Sequence, residues 1–249
     1  AQAALQKTLT SRDAAFEQWL TATPSLSQPT PSDHFPLNSG DEKITTNSIP
    51  SAEPASVSGG ELLPVEGAIK GAVQFDGDTV LLLNGVKGIT RHQPLTISLR
   101  LFTPDKKQRA AIIHTGPALF SQMADAAGFE MLMEKGKLRW SCIHLWPGCA
   151  VSIETTDDFP IAKWVHVTVT YDGSSSAQGL KMYFDGKPIA TKVLHDHLDK
   201  NITAQIMRIG ARPRDDRGFA DGRIDEIKIF RRPLSPVEVA DLHAPLLEA

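Results

Sequence analysis

Few residues in this 249-residue chain have the type and spacing that chemistry requires, and Asp225 is the first of them. In the run from Arg223 to Phe230 (RIDEIKIF) a period-two pattern puts Asp225 on the face of Ile227 and Ile229, directed inward. An unpaired charge there is costly. Two arrangements relieve that cost. The carboxylate can accept backbone N–H bonds from a loop, or it can ligate calcium together with loop carbonyls, the hard oxygen donors that suit this ion.

A second group of residues suits recognition rather than catalysis. His144 and Trp146 offer aromatic faces, and Arg212, Arg214 and Arg217 in RPRDDR offer fork-shaped donors. Aromatic faces stack on sugars, and guanidinium groups hold carboxylates. The structural alternative is that Trp146, ahead of Pro147-Gly148, closes a hairpin end while the Arg/Asp loop pairs with itself.

Catalytic constellations are absent by type and spacing. Retaining glycosidases need two carboxylates about 5 Å apart. Glu130 and Glu134 instead flank Met131-Leu132-Met133, and the neighbours Asp157-Asp158 and Asp225-Glu226 point to opposite faces. No G-x-S-x-G supports a serine nucleophile. His195-x-His197 has two ligands on one strand face but no third nearby, short of a zinc site. Cys142 and Cys149 match neither a haem motif nor a zinc pattern. In a hairpin turning near Leu145-Trp146 they either form a cross-strand disulfide or pack as free, small hydrophobes.

The elements that position these residues are short strands. Val165, Val167, Val169 and Tyr171 alternate with His166, Thr168 and Thr170, and Leu180, Met182 and Phe184 repeat the pattern ahead of Asp185-Gly186. That dipeptide suits a type I′ hairpin, and Lys135-Gly136 marks another. Ser235-Pro236-Val237-Glu238 reads as a capping box with Pro at the first helical position. No long helical periodicity separates the strands from Gly67 onward, so an antiparallel sandwich is favoured over a parallel βαβ sheet. Residues 1–22 carry Leu5, Leu9, Phe16, Trp19 and Leu20 at near-helical spacing and read as an amphipathic helix. Residues 23–32 read as a Pro/Ser-rich linker and 33–249 as the β domain, with a short strand within 34–40.

Composition sets the outer bounds. The chain is 41% hydrophobic and 22% charged, with a net charge of −3, which gives ample core and no basic excess for nucleic acid. No apolar run approaches the roughly 20 residues that span a bilayer. Ala1 to Leu20 lacks the apolar centre of a signal peptide, and the missing initiator Met reads as a processed or excised piece.

The blocks GAVQFDG (71–77), PLTISLRLF (94–102), WVHVTVTYDG (164–173), LKMYFDGKPIA (180–190) and GRIDEIKIFRRPLSPVEV (222–239) together resemble a laminin-G-like domain of the concanavalin A-like kind. HLWPGCAV (144–151) and RPRDDRGFADGRIDE (212–226) are similar to the version inserted in large planctomycete-type cytochrome c proteins of unknown function. The resemblance implies an all-β antiparallel jelly-roll sandwich with an N-terminal helix and a short C-terminal helical turn. It implies a binding module for glycan or protein, in contact with neighbouring domains of an exported parent protein, periplasmic or at the cell surface. No haem is implied, because its motif is absent. Family members hold calcium with an acid near Asp225 and an N-terminal loop, here Asn38 to Asp41. One branch consists of glycoside hydrolases, whose acids alternate along a single strand; no such run occurs here. A ligand-free spacer and a degenerate hydrolase are the competing expectations.

Overall fold

Alternating apolar residues bury one face of each strand, and the computed structural model shows where those faces meet. It describes residues 28–38, 44–116, 127–202, 204–211 and 218–243. The expected helix over 1–22 lies outside the described residues. Strands β1 (Asp33–Phe35), β2 (Ile44–Thr45), β3 (Ala55–Ser58), β4 (Leu63–Glu66), β5 (Gly71–Gln74) and β6 (Val80–Leu83) come first. They are followed by β7 (Leu95–Phe102), β8 (Arg109–His114), β9 (Gly128–Glu134), β10 (Lys137–Leu145), β11 (Cys149–Thr155) and β12 (Trp164–Tyr171). Then come β13 (Leu180–Phe184), β14 (Lys187–Pro188), β15 (Thr191–His197), β16 (Met207–Ile209), β17 (Arg223–Phe230) and helix α1 (Pro236–His243).

Two antiparallel sheets result. One has the order β14-β13-β12-β7-β17-β5-β4, with β1 also paired to β17; the other runs β15-β11-β10-β9-β8-β16-β6-β3-β2. The core between them includes Trp140, Phe129, Tyr171, Phe35, Phe75 and Phe219, all essentially sealed from solvent. Trp140 stacks on Phe129 at 5.5 Å and donates its indole N–H to the Thr170 carbonyl, so its polar atom is satisfied in the core.

The two hairpin turns form as their residues require. Lys135 and Gly136 have φ of 51° and 81°, and Asp185 and Gly186 have 49° and 77°, the positive pairs of type I′ turns. The capping box also forms: Ser235 N–H donates to Glu238 at 2.8 Å, and Glu238 N–H to Ser235 Oγ at 3.4 Å. The first strand is shorter than expected and starts earlier, at Asp33, and Pro36 follows its end.

Strand β17 departs from simple alternation. It pairs with β5 through Arg223 and Ile224, and with β1 through Ile227, Lys228 and Ile229. Between these two partners its register against β7 shifts, and Glu226 adopts φ +54°. The extra residue is a β-bulge. It corrects the inward reading of Asp225: Ile224 and Ile227 both face the core, while Asp225 pairs with Arg100 and faces away from it. The residue is nonetheless fully buried.

Candidate functional site

On the outward face of the nine-stranded sheet, register lines up a polar row across six strands. Arg208 on β16 lies opposite His114 on β8, and His114 opposite Glu130 on β9. Glu130 faces Ser141 on β10, Ser141 faces Ser152 on β11, and Ser152 faces His195 on β15. The Ser141 and Ser152 hydroxyls bond to each other at 2.7 Å. A second row beside it joins Leu132, Arg139, Glu154 and Lys192.

Six charged side chains on this face pair with one another. Arg139 reaches Glu130 at 3.3 Å and Glu134 at 3.9 Å, Arg109 binds Glu134 at 2.6 Å, and Lys192 binds Glu154 at 3.0 Å. Trp146 closes one end of the row. The Arg139 guanidinium lies 4.6 Å from the centre of its ring, and the His195 ring meets it edge-on at 4.5 Å. Trp146 remains half-buried, so part of its ring is open to a ligand. Arg139 thus links an aromatic platform to two carboxylates, a geometry suited to hydroxyl-rich ligands.

The expected binding residues divide. Trp146 joins the site. His144 does not: it donates Nδ1–H to the Asn201 carbonyl at 2.6 Å. Arg212, Arg214 and Arg217 lie outside the described residues. Sequence reading missed Arg139, Glu130, Ser141 and Ser152. A signal for them existed, because the 135–136 turn pairs Glu134 with Lys137 and so obliges Glu130 to face Ser141.

The cysteines do not bridge. Cys142 sits opposite Val151 in the core, and burial pushes its thiol far above the ordinary range. Cys149 donates to Asp199 at 3.1 Å. Both thiols are free, as in the small-hydrophobe alternative. His195 packs on Trp146 and His197 lies 3.9 Å from Asp199, so the pair shares no centre.

Asp225 occupies a different setting, on the other sheet. It fills the break where β17 changes partner from β5 to β1. Its Oδ2 accepts the Ile69 N–H at 3.0 Å, and the Ala68 N–H also points to the carboxylate. Burial, with the Glu226 charge adding, pushes this carboxyl up to about 7 against those N–H bonds. Arg100 faces it across the strand pair but forms no ion pair with it, and burial lowers that guanidinium as well. Asn38 accepts the Gly71 N–H at 3.0 Å, and Asp41 lies outside the described residues. N–H donors and a guanidinium neighbour make a hydrogen-bonding pocket for Asp225 among the described residues. Oδ1 of Asp225 lacks a hydrogen-bond partner, which keeps the neutral acid favourable.

Domain 4 of AbnA, a GH43 extracellular arabinanase from Geobacillus stearothermophilus solved with arabinotriose, superposes with a TM-score of 0.58 at 16% identity. That alignment covers 87% of this chain and 100% of that one. The botulinum neurotoxin serotype G binding domain gives 0.63 at 15% identity, over 86% of this chain and 50% of the other. The serotype D ligand binding domain in complex with N-acetylneuraminic acid gives 0.61 at 14%, again over 86% and 50%. The chain therefore spans about half the length of the toxin binding domains, and at these identities the likeness carries the fold alone. No curated protein matches the chain. The sequence profile of the concanavalin A-like lectin/glucanases superfamily, in its laminin-G-like form, matches residues 75–240, and the chain belongs to that family.

Proposed function

We propose that this domain is a non-catalytic glycan-binding module carried by a larger exported protein. The observation that supports this reading is the half-buried Trp146 ring over Arg139 and beside His195, at the end of a polar row. A sugar ring stacked on Trp146 would meet the Arg139 guanidinium beside it, while Glu130, buried beneath, holds that guanidinium in place. Because Arg139 and its charged neighbours are paired, recognition rests on stacking and hydrogen bonds rather than on net charge. The bound sugars in the AbnA and serotype D neighbours make glycan the ligand class to test first. The parent we propose is a multi-domain protein of the planctomycete-type cytochrome c group, in which the domain also touches its neighbours.

Hydrolysis does not suit this face. Glu130 and Glu134 are four residues apart on one strand, about 13 Å along its axis, far beyond the roughly 5 Å of a retaining pair. Arginines bind both.

The test is calorimetric titration of the chain with arabinotriose and N-acetylneuraminic acid, followed by a glycan array. Binding abolished by Trp146→Ala and weakened at least 10-fold by Arg139→Ala supports the module. Absence of binding to every glycan favours the ligand-free spacer, and turnover of a polysaccharide would overturn the non-catalytic reading.

A further inference from the structure

A separate cluster forms where β1 joins the eight-stranded sheet. The Ser48 hydroxyl lies 2.8 Å from His34 Nδ1, and His34 Nε2 lies 2.9 Å from Glu226 Oε2. The backbone fixes each member. Ser48 N–H donates to the His34 carbonyl at 2.8 Å, and His34 N–H to the Asn47 side chain at 3.1 Å. Glu226 reaches the imidazole because it is the bulged residue of β17, held at φ +54°. A non-glycine residue held in this region marks a place where the fold over-determines a side chain's direction. Two grooves flank the cluster. One, of about 320 Å³, is lined by His34, Lys228, Ile49 and Leu242 among others; the second, of about 120 Å³, includes Ser48, Thr46 and Leu37.

The hydrogen bonds set the proton order. Burial raises Glu226, but the His34 bond and the Lys228 charge outweigh it and leave the carboxyl below its ordinary range. An ionised carboxylate only accepts, so His34 carries its proton on Nε2 and presents Nδ1 as the acceptor. Ser48, exposed at its turn, then donates its O–H to that nitrogen. Nucleophile, base and orienting acid stand in the order that activates a serine, whatever the fold. From this geometry we infer that Ser48 is a base-activated nucleophile that takes acyl groups from activated esters, with His34 as the base and Glu226 as its positioning residue.

The step balances without a co-reactant. Ser48 Oγ bonds to the ester carbonyl carbon as its proton passes to His34 Nδ1. The tetrahedral adduct then expels the leaving oxygen, which takes that proton, and leaves acyl-Ser48. The Ser48 N–H is already committed to the His34 carbonyl and gives the oxyanion no donor. Acyl donors with good leaving groups are therefore the class that reacts.

The test incubates the full chain with p-nitrophenyl acetate and maps acetylated peptides by mass spectrometry. Ser51 and Ser58, also exposed, are internal controls. Ser48 acetylation is expected to exceed theirs about 100-fold, the lower range of general-base assistance, and to fall by about that factor in His34→Gln. Glu226→Gln should lower it more than Glu226→Asp, which keeps the charge; a purely structural bond would not separate these two. Equal labelling of the three serines overturns the proposal. So does Ser48 labelling that neither the His34 nor the Glu226 variants change in folded protein.

Discussion

The imidazoles of His166 and His243 stack with ring centres 5.4 Å apart and planes 12° apart, joining β12 to the last residue of α1. Burial first, then the charges of Arg100, His243 and Lys228, hold His166 well below its ordinary range. His243 is lowered by burial and Arg100, against the opposing pull of Asp185. The Ser98 hydroxyl shares the His166 Nε2 at 2.7 Å. Both rings are therefore neutral in the fold, and the helix docks on that condition.

The stabilising contribution of this pair should consequently fall on acidification. The unfolded chain takes up protons near pH 6.5, whereas the folded rings resist them, so their contribution is complete above that pH and is lost below it. His166 supplies up to about 1.4 kcal/mol per pH unit, and the partly solvated His243 supplies less. Thermal unfolding of the parent and of a His243 variant between pH 7 and pH 4.5 isolates this contribution, because Asp225 titrates alike in both. His243→Phe keeps the stack, removes one titration and should give a shallower acid limb.

Asp225 works in the opposite direction. Its folded value of about 7 lies above the unfolded one, so its contribution is present in acid and is lost as pH rises toward and through 7. Asp225→Asn mimics the protonated form and keeps an acceptor for the Ile69 N–H. The variant should be more stable than the parent by about 2–4 kcal/mol at pH 8 and close to it at pH 4.5. Urea unfolding at the two pH values decides it; equal stabilities at pH 8 would reject a carboxyl raised by burial.

The same pocket bears on metal. If N–H donors satisfy Asp225, millimolar calcium or a chelator should shift the melting temperature by less than about 1 °C. A calcium-dependent rise of several degrees would instead place an ion between Asp225, Asn38 and Asp41, since a ligand bound only to the folded state stabilises it by mass action.

Much of the fold was legible because its signals are local. Asp185-Gly186 and Lys135-Gly136 announce their turns, and Val165 to Tyr171 announce an inward face, since each depends on neighbours within a few residues. The bulge at Glu226 was not legible. It arises where β17 changes partner between β5 and β1, a choice made by strands over a hundred residues away, and it reverses the side on which Asp225 lies. The site divides along the same line. Trp146 stands out by type, but the row from Glu130 to His195 emerges only when four strands are set in register.

Gly210 gives a test of packing. It has φ +95°, and a Cβ placed on it would lie 2.1 Å from the Phe75 ring, which is itself fully buried. Gly210→Ala must move a core aromatic ring as well as adopt a left-handed backbone. A loss of about 2–4 kcal/mol is expected by denaturant unfolding, with an unchanged m-value if only the folded state suffers.

The closing helix depends on its cap. Eight residues are too few for a helix to persist unaided in water, so α1 forms because something else fixes it. Val239 and Leu242 pack on Tyr183, Phe230 and Leu234, and the capping box supplies the first turn. Arg232 binds Glu238 at 2.5 Å, and together with the Ser235 bonds this holds the Glu238 carboxyl down at about 2 against its partial burial. Ser235→Ala removes the side-chain half of the box and should cost about 1 kcal/mol, whereas Val239→Ala opens a cavity under the helix and should cost about 1–3 kcal/mol. Amide exchange separates the two origins. If the cap acts locally, Ser235→Ala raises exchange in 236–243 while β12 and β7 stay protected; equal acceleration across the sheet would mean that the helix and the sandwich unfold as one unit.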